Sequence, residues 1–259
     1  MQNGIAVLMY HELETPGRPL CQSNPGYRRY VVPASAFQGH LAHLKSLGYE
    51  GIGVGGALKG VRDKQVVLTF DDGAETDLRI AAPLLASFGF RATFYVTAGF
   101  LGRPGFMTES QVRELGAAGF EIGCHSMTHP YLTEIDTAGL HREIVESKER
   151  LEKIAGRAVE HFSCPGGRFD DRVVAKVKDA GFETLANSEP RLYTSESDCH
   201  SIGRTAVLRG DSSVQVESIC EGRGLWQRAL GQQLRSRVQS LLGNRLYDSV
   251  RASWLSRGE

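Results

Sequence analysis

Apolar and polar positions along the chain fall into two alternating kinds of segment. Residues 5–10, 66–70, 92–96, 120–124, 161–164, 183–186 and 205–208 are short runs rich in β-branched and aromatic side chains, and they predict strands. Between them, residues 34–47, 77–88, 108–118, 137–155 and 170–180 repeat apolar positions at the spacing of one helix face. Several of these helical segments stop at a glycine followed by an aromatic residue: Gly48-Tyr49, Gly89-Phe90, Gly119-Phe120 and Gly181-Phe182. Such a glycine ends the helix, and the aromatic residue opens the next buried strand. The repetition predicts β-loop-α units, hence an α/β fold with a parallel sheet or barrel inside a layer of helices. In that architecture the reactive side chains sit where strands end.

Composition narrows the picture. The 259 residues hold 30 Lys and Arg against 30 Asp and Glu, so the formal net charge is zero and no nucleic-acid partner is expected. With 41% hydrophobic residues the chain is not of the disordered class. Its length suits one barrel, since (β/α) barrels reach about 250 residues as a single domain. Cys21, Cys124, Cys164, Cys199 and Cys220 are scattered without a C-x-x-C pair, which argues against a disulfide framework or a zinc ribbon. The first residues lack a basic start and a long apolar run, and no stretch approaches the ~18 apolar residues of a membrane span, so a cytoplasmic location is expected. Two stretches read as structure alone. Residues 51–60 (GIGVGGALKG) have no G-K-[ST] and are expected to form a flexible loop. Residues 143–153 (EIVESKERLEK) pair Glu146 with Arg150 and Glu149 with Lys153 and are expected to be a solvated helix face.

Chemistry concentrates after two of the predicted strands. Val66-Val67-Leu68-Thr69-Phe70 runs into Asp71-Asp72-Gly73. Consecutive strand side chains point to opposite faces, so two carboxylates converge only where the strand ends and Gly73 lets the chain turn. Like charges brought together raise one pKa unless a cation compensates, and a metal ion is the natural compensator. The strand at 120–124 is followed by His125-Ser126-Met127-Thr128-His129-Pro130. Two imidazoles four residues apart face one point if the chain between them makes a helical turn, which Pro130 closes at His129. One Asp and two His make a facial triad suited to Zn2+ or another first-row divalent ion. Cys124 and Cys164 are read as small apolar residues at strand ends, not as ligands or nucleophiles.

These residues resemble the motifs of the polysaccharide deacetylases of the NodB-homology type, carbohydrate esterase family 4. Thr69-Phe70-Asp71-Asp72-Gly73 matches the first motif letter for letter, and His125-Ser126-Met127-Thr128-His129 matches the H-S-x-x-H second motif. Phe162-Ser163-Cys164-Pro165-Gly166-Gly167 is similar to the third, R-x-P-x-G, with Ser163 where arginine often stands. The resemblance covers roughly residues 1–210. It implies a distorted (β/α)7 barrel, one divalent metal held by Asp72, His125 and His129 (Zn2+ first, Co2+ or Ni2+ as alternatives), and Asp71 as catalytic base. The late leucine-x-histidine motif of the family is absent, and His200 lies in a polar loop read as surface. Instead Tyr10-His11 closes the first strand, which resembles the poly-β-1,6-N-acetylglucosamine deacetylases, where an N-terminal Y-H supplies the acid. His11 is thus the expected catalytic acid. Arg168 is a candidate to orient Asp71 in place of the missing arginine, and backbone N–H groups near Gly166-Gly167 are candidate oxyanion donors.

The resemblance implies hydrolysis of N-acetyl groups from N-acetylhexosamine units of a polysaccharide or lipid-linked glycan precursor, with a glycan as the partner. Two other readings stay open: an amidohydrolase acting on a cyclic imide or formamide, and a catalytically silent glycan-binding barrel. A long groove with aromatic subsites favours glycan, and a small closed pocket favours the imide. The expected domains are a barrel at 1–215 and a basic amphipathic helical tail at 216–259. Trp226, Leu230, Leu234, Val238 and Leu242, then Leu246, Val250 and Trp254, form an apolar stripe. From residue 221 onward there are seven Arg against Glu221, Asp248 and Glu259. This tail fits a helical pair packed on the barrel, a peripheral membrane contact or an oligomer contact.

Overall fold

Strand β1 (Ile5–Tyr10) runs parallel beside β2 (Gln65–Phe70), and five further strands continue around it: β3 (Thr93–Val96), β4 (Glu121–Cys124), β5 (His161–Ser163), β6 (Thr184–Ala186) and β7 (Thr205–Ala206). These pairings come from a computed structural model that describes residues 4–22 and 24–231. The order β1-β2-β3-β4-β5-β6 is parallel throughout, and β7 pairs parallel with β1. Ile202, just before β7, bridges Ala186 of β6 and so brings the sheet back on itself. The closure is thin, resting on the Ile202 N–H to the Leu185 carbonyl and the Asn187 N–H to the Ile202 carbonyl, both 2.8 Å. With Glu50–Ile52 added beside β2 and Leu192–Tyr193 antiparallel beside β1, these seven parallel strands make a curled nine-stranded sheet, the distorted barrel that the resemblance implied.

Alternation along each strand assigns its two faces. On β1, Ala6, Leu8 and Tyr10 join the core under the helices, whereas Ile5 and Val7 join a second cluster inside the barrel. Val66, Leu68 and Phe70 of β2 likewise face the helices, while Val67 faces inward. Tyr10, Phe70 and Phe94 stack in a row at 5.4 and 4.8 Å between centroids. Such aromatic pairs add about 0.5–1.5 kcal/mol each beyond the area they bury. The helical layer includes α1 (Ala34–Ser46), α2 (a π turn, Asp77–Ala81, continued by Ala82–Ser87), α3 (Glu109–Ala117), α4 (Thr137–Leu140, a π turn His141–Glu146, then Ser147–Ala155), α5 (Asp171–Asp179) and α6 (Ser213–Cys220).

Three expectations change. Residues 51–60 are not a flexible loop: Glu50–Ile52 pairs with β2 and Val54–Leu58 is helical. Their glycines serve close packing, since a Cβ on Gly53 or Gly55 would meet the Glu121 carboxylate at 2.4 or 2.9 Å. The face at 143–153 is not uniformly solvated, because Glu143 is buried at 4% exposure. The boundary expected after residue 215 falls within α6, whose Val216 and Ile219 join the main core. Residues 225–231 are helical, with Trp226 68% and Leu230 49% exposed. Leu234, Val238, Leu242, Leu246, Val250 and Trp254 lie outside the described residues. Among those described, no helix is long and apolar enough to cross a membrane.

Candidate active site

Residues two apart on a strand share a face, so Val67, Thr69 and Asp71 line the barrel interior. The Asp71 N–H donates to the Tyr10 carbonyl at 3.0 Å, which holds Asp71 on the last rung between β1 and β2. Asp72 then enters the left-handed region (φ 79°) and Gly73 follows (φ 83°). Two successive left-handed residues swing the second carboxylate back over the barrel mouth. Glycine suits position 73 on both counts, because its φ is positive and a Cβ would press on Val96 Cγ1 at 3.2 Å.

On β4 the same alternation carries inward from Gly123 to His125. The loop beyond is not the helical turn expected between the imidazoles: Ser126 and His129 both take positive φ, 67° and 65°. Pro130 disfavours the right-handed α conformation at His129, and Ser126 Oγ accepts the His129 N–H at 3.0 Å. The Ala98 and Gly99 N–H groups hold the Ser126 and Met127 carbonyls at 3.0 and 2.7 Å. The result still brings the rings together. His125 Nε2 and His129 Nε2 lie 3.6 and 3.5 Å from Asp72 Oδ1, with the ring centroids 4.9 Å apart. Left-handed non-glycine residues cost about 1–3 kcal/mol each and concentrate at functional sites; here three of them, Asp72, Ser126 and His129, surround one point.

That point suits a divalent ion. One donor atom from each of Asp72, His125 and His129 lies within 4.8 Å of the others. Asp72 Oδ1 is buried without a hydrogen-bond partner. His125 Nδ1 is 2.8 Å from the Ser163 carbonyl, so Nδ1 carries the proton and Nε2 keeps its lone pair for a ligand. Burial, only partly offset by Asp71, pushes the His125 imidazole down to about 4, which keeps the ring neutral. The donor set of one carboxylate and two imidazoles fits Zn2+ or a similar ion.

Asp71 stands beside this triad with a different partner. Burial alone would raise its carboxyl, but the Arg204 guanidinium and His125 hold it well below the usual carboxylate range. Arg204 donates Nη1 to Oδ1 and Nη2 to Oδ2, each at 2.7 Å, and also bonds Ser163 Oγ, Thr69 Oγ1 and the Asn187 carbonyl. It is fully buried. Arg204, not Arg168, therefore supplies the charge missing at position 163; Arg168 instead lies over the Tyr131 ring at 4.0 Å and pairs with Glu134 at 3.5 Å. Ser163 takes part in the new arrangement by bonding the Arg204 guanidinium. A nearby acid, Asp77, is buried at the start of α2, and burial together with Asp72 pushes its carboxyl well up.

His11 follows β1 on the same face as Val7 and opens on the cleft that holds Asp71, Asp72, His125 and His129. Its ring packs on Tyr30 at 5.0 Å, and its Nδ1 is buried without a partner. The cleft measures about 1080 Å3 and is also lined by Tyr27 and Tyr131. Of the expected oxyanion donors, the Gly167 N–H is spent on the Cys164 carbonyl at 2.8 Å, which leaves Gly166 of that pair. Cys124 and Cys164 are buried, and burial pushes the Cys124 thiol up to about 12, consistent with inert core sulfur. His200 is outside the cleft lining, with Nε2 3.1 Å from the Phe182 carbonyl.

Residues 59–185 match the family model described as polysaccharide deacetylase, a span that includes Asp71, Asp72, His125 and His129 but neither His11 nor Arg204. YxkH of Bacillus subtilis (strain 168) is 24% identical over 214 residues, which is 80% of this chain and 73% of YxkH. A chitooligosaccharide deacetylase of Rhizobium leguminosarum bv. trifolii is 33% identical over 139 residues, 52% of this chain and 62% of that protein, so the match spans under two thirds of its length. Among solved structures, Streptococcus pyogenes deacetylase PplD in complex with acetate shares the fold at a TM-score of 0.74 and 21% identity, covering 84% of this chain and 98% of that one.

Proposed function

The chain carries a domain of the polysaccharide deacetylase family, NodB-homology type, and from that premise we propose that it is a metal-dependent N-deacetylase of N-acetylhexosamine units in a glycan. The observation that carries this reading is the pairing of a two-His, one-Asp donor set with a separate carboxylate, Asp71, clamped by Arg204. The relative named a chitooligosaccharide deacetylase points to the same substrate class. The cleft supports it too: about 1080 Å3 with Tyr27, Tyr30 and Tyr131 on its walls exceeds what a cyclic imide or formamide needs, and aromatic faces suit sugar rings.

Asp72, His125 and His129 would hold the ion, which when bound lowers the pKa of water from 15.7 toward about 7 and polarises a carbonyl. Asp71, kept ionised by Arg204, accepts the proton of the attacking water. It cannot turn away, because both of its oxygens are held by one guanidinium. His11 as imidazolium donates to the leaving amine, which avoids expulsion of an amide anion. The Gly166 N–H is the remaining backbone donor of its loop for the developing oxyanion. Products are acetate and a free amino sugar. The wild-type chain treated with a chelator should release no acetate from N-acetylglucosamine oligomers, and added Zn2+, Co2+ or Ni2+ should restore release. Hydrolysis of a formamide or cyclic imide in preference to the oligomer would favour the other amidohydrolase reading.

We also propose peripheral contact of the C-terminal region with an anionic membrane. The exposed Trp226 and Leu230, one turn apart, support it, as does the arginine excess after residue 220.

A further inference from the structure

Glu143 occupies a position that nothing in the mechanism uses. It lies in the π turn His141–Glu146 of α4 and is buried at 4% exposure. Carboxylates are rarely buried so deeply unless charge or hydrogen bonds satisfy them. The three bonds it accepts all come from the loop between the two imidazoles. Glu143 Oε2 accepts the Met127 N–H at 2.9 Å and the Thr128 N–H at 2.7 Å, and Oε1 accepts the Thr128 hydroxyl at 2.7 Å.

The loop has reason to need such a partner. Ser126 and His129 at its two ends are in the left-handed region, so its shape is not one the chain adopts unaided. One side is held by the Ala98 and Gly99 N–H groups on loop carbonyls. A Cβ on Gly99 would meet the Met127 carbonyl at 2.4 Å, which shows how closely that side is gripped. The opposite polarity, the loop's own N–H groups, is met by Glu143. The helix that presents Glu143 is anchored to the same strand end, because Ser147 Oγ lies 3.1 Å from Cys124 Sγ and donates to the Glu143 carbonyl at 2.6 Å. A π turn widens the helix locally and shifts the register of the side chains that follow, and here the widened turn carries the buried carboxylate.

We infer that Glu143 is a positioning residue for the metal centre, fixing the loop so that His129 and His125 present their Nε2 atoms to one point. The inference rests on the reading of Asp72, His125 and His129 as metal ligands. Partners behind a metal ligand typically change metal affinity by about 10–100-fold when removed, and that range is expected for Glu143→Ala. Glu143→Gln should come close to wild type, because its amide oxygen can accept the loop N–H groups while its NH2 donates to the Thr128 hydroxyl. A merely structural role would lower thermal stability without this ordering of affinities.

The test is a zinc titration of the metal-free full chain against a competing chromogenic chelator, alongside the melting temperature of each variant. One tight Zn2+ in wild type, abolished in His129→Ala, establishes the metal reading independently of Glu143. The expected order is then wild type and Glu143→Gln tight, Thr128→Val weaker by a few-fold, and Glu143→Ala weaker by 10-fold or more. Should Glu143→Ala fail to fold, Thr128→Val carries the test, since it removes one bond and leaves the carboxylate otherwise satisfied. Zinc affinity unchanged in the folded variants overturns the role of Glu143 and leaves the metal centre standing. Absence of zinc binding by wild type overturns both.

Discussion

Arg204 grips Asp71 with both prongs of its guanidinium at 2.7 Å, across 133 residues of sequence and in a fully buried setting. Two parallel charged hydrogen bonds fix the plane of the carboxylate as well as its charge. Lysine keeps the charge but not the fork. Arg204→Lys should therefore lower kcat for acetate release by at least about 10²-fold, the low end of what a positioned base contributes. Removing the guanidinium also releases the Asp71 carboxyl upward, so the acid limb of the pH–rate profile should move to higher pH. Arg204→Met, which leaves Asp71 charged and unpaired, should cost about 3–5 kcal/mol of stability by urea denaturation. A Lys variant with wild-type kcat and an unmoved acid limb would refute the assignment.

His11 can be separated from the rest of the site by the choice of leaving group. Protonation matters for an amine and hardly at all for a phenolate. His11→Gln should lose about 10²–10⁴-fold in N-acetyl hydrolysis and retain most hydrolysis of an aryl acetate. Equal loss on both substrates would show that His11 acts in binding or in shaping the cleft.

The stability of the chain should fall in mild acid through His40. Burial holds its imidazole below the ordinary value, with Nε2 2.9 Å from the Asp211 carbonyl and Nδ1 3.2 Å from the Tyr10 hydroxyl. A group with a depressed folded-state pKa favours its neutral form, so its contribution is complete above the unfolded value of about 6.5 and is lost as pH falls below it. Urea midpoints measured at pH 7.5 and 5.5 should drop for wild type and drop less for His40→Gln. Identical drops would rule out His40 as the source.

Membrane contact predicts salt-sensitive binding. The full chain should sediment with phosphatidylglycerol-containing vesicles at low salt and come off as salt screens the arginine excess. Trp226→Ser with Leu230→Ser should weaken binding through loss of the exposed apolar pair. Failure to sediment at low salt would contradict the proposal.

Local patterns made the barrel and the cluster of Asp72, His125 and His129 readable, and long-range ones hid their supports. β1 to β7 follow from short runs of β-branched and aromatic residues and from glycine-terminated helices, and Asp71, Asp72, His125 and His129 follow from motifs that each lie within five residues. Arg204 has no local signature: only the closing of β7 against β1 brings it to Asp71, and the available hint was the loss of an arginine at Ser163. Glu143 was concealed among i,i+4 ion pairs, because a π turn changes which face a residue occupies. The glycines at 51–60 looked like flexibility, but Gly53 and Gly55 make room for Glu121, a partner nearly 70 residues away.

In the proposed mechanism Asp71 acts as base beside a metal that it does not itself bind. The most direct measurement is acetate release from N-acetylglucosamine oligomers by zinc-loaded wild type and Asp71→Asn, with zinc affinity determined on the same samples. Asp71→Asn should lower kcat by at least about 10²-fold, with one Zn2+ still bound through Asp72, His125 and His129. Zinc-dependent release that persists at the wild-type rate in Asp71→Asn would contradict it.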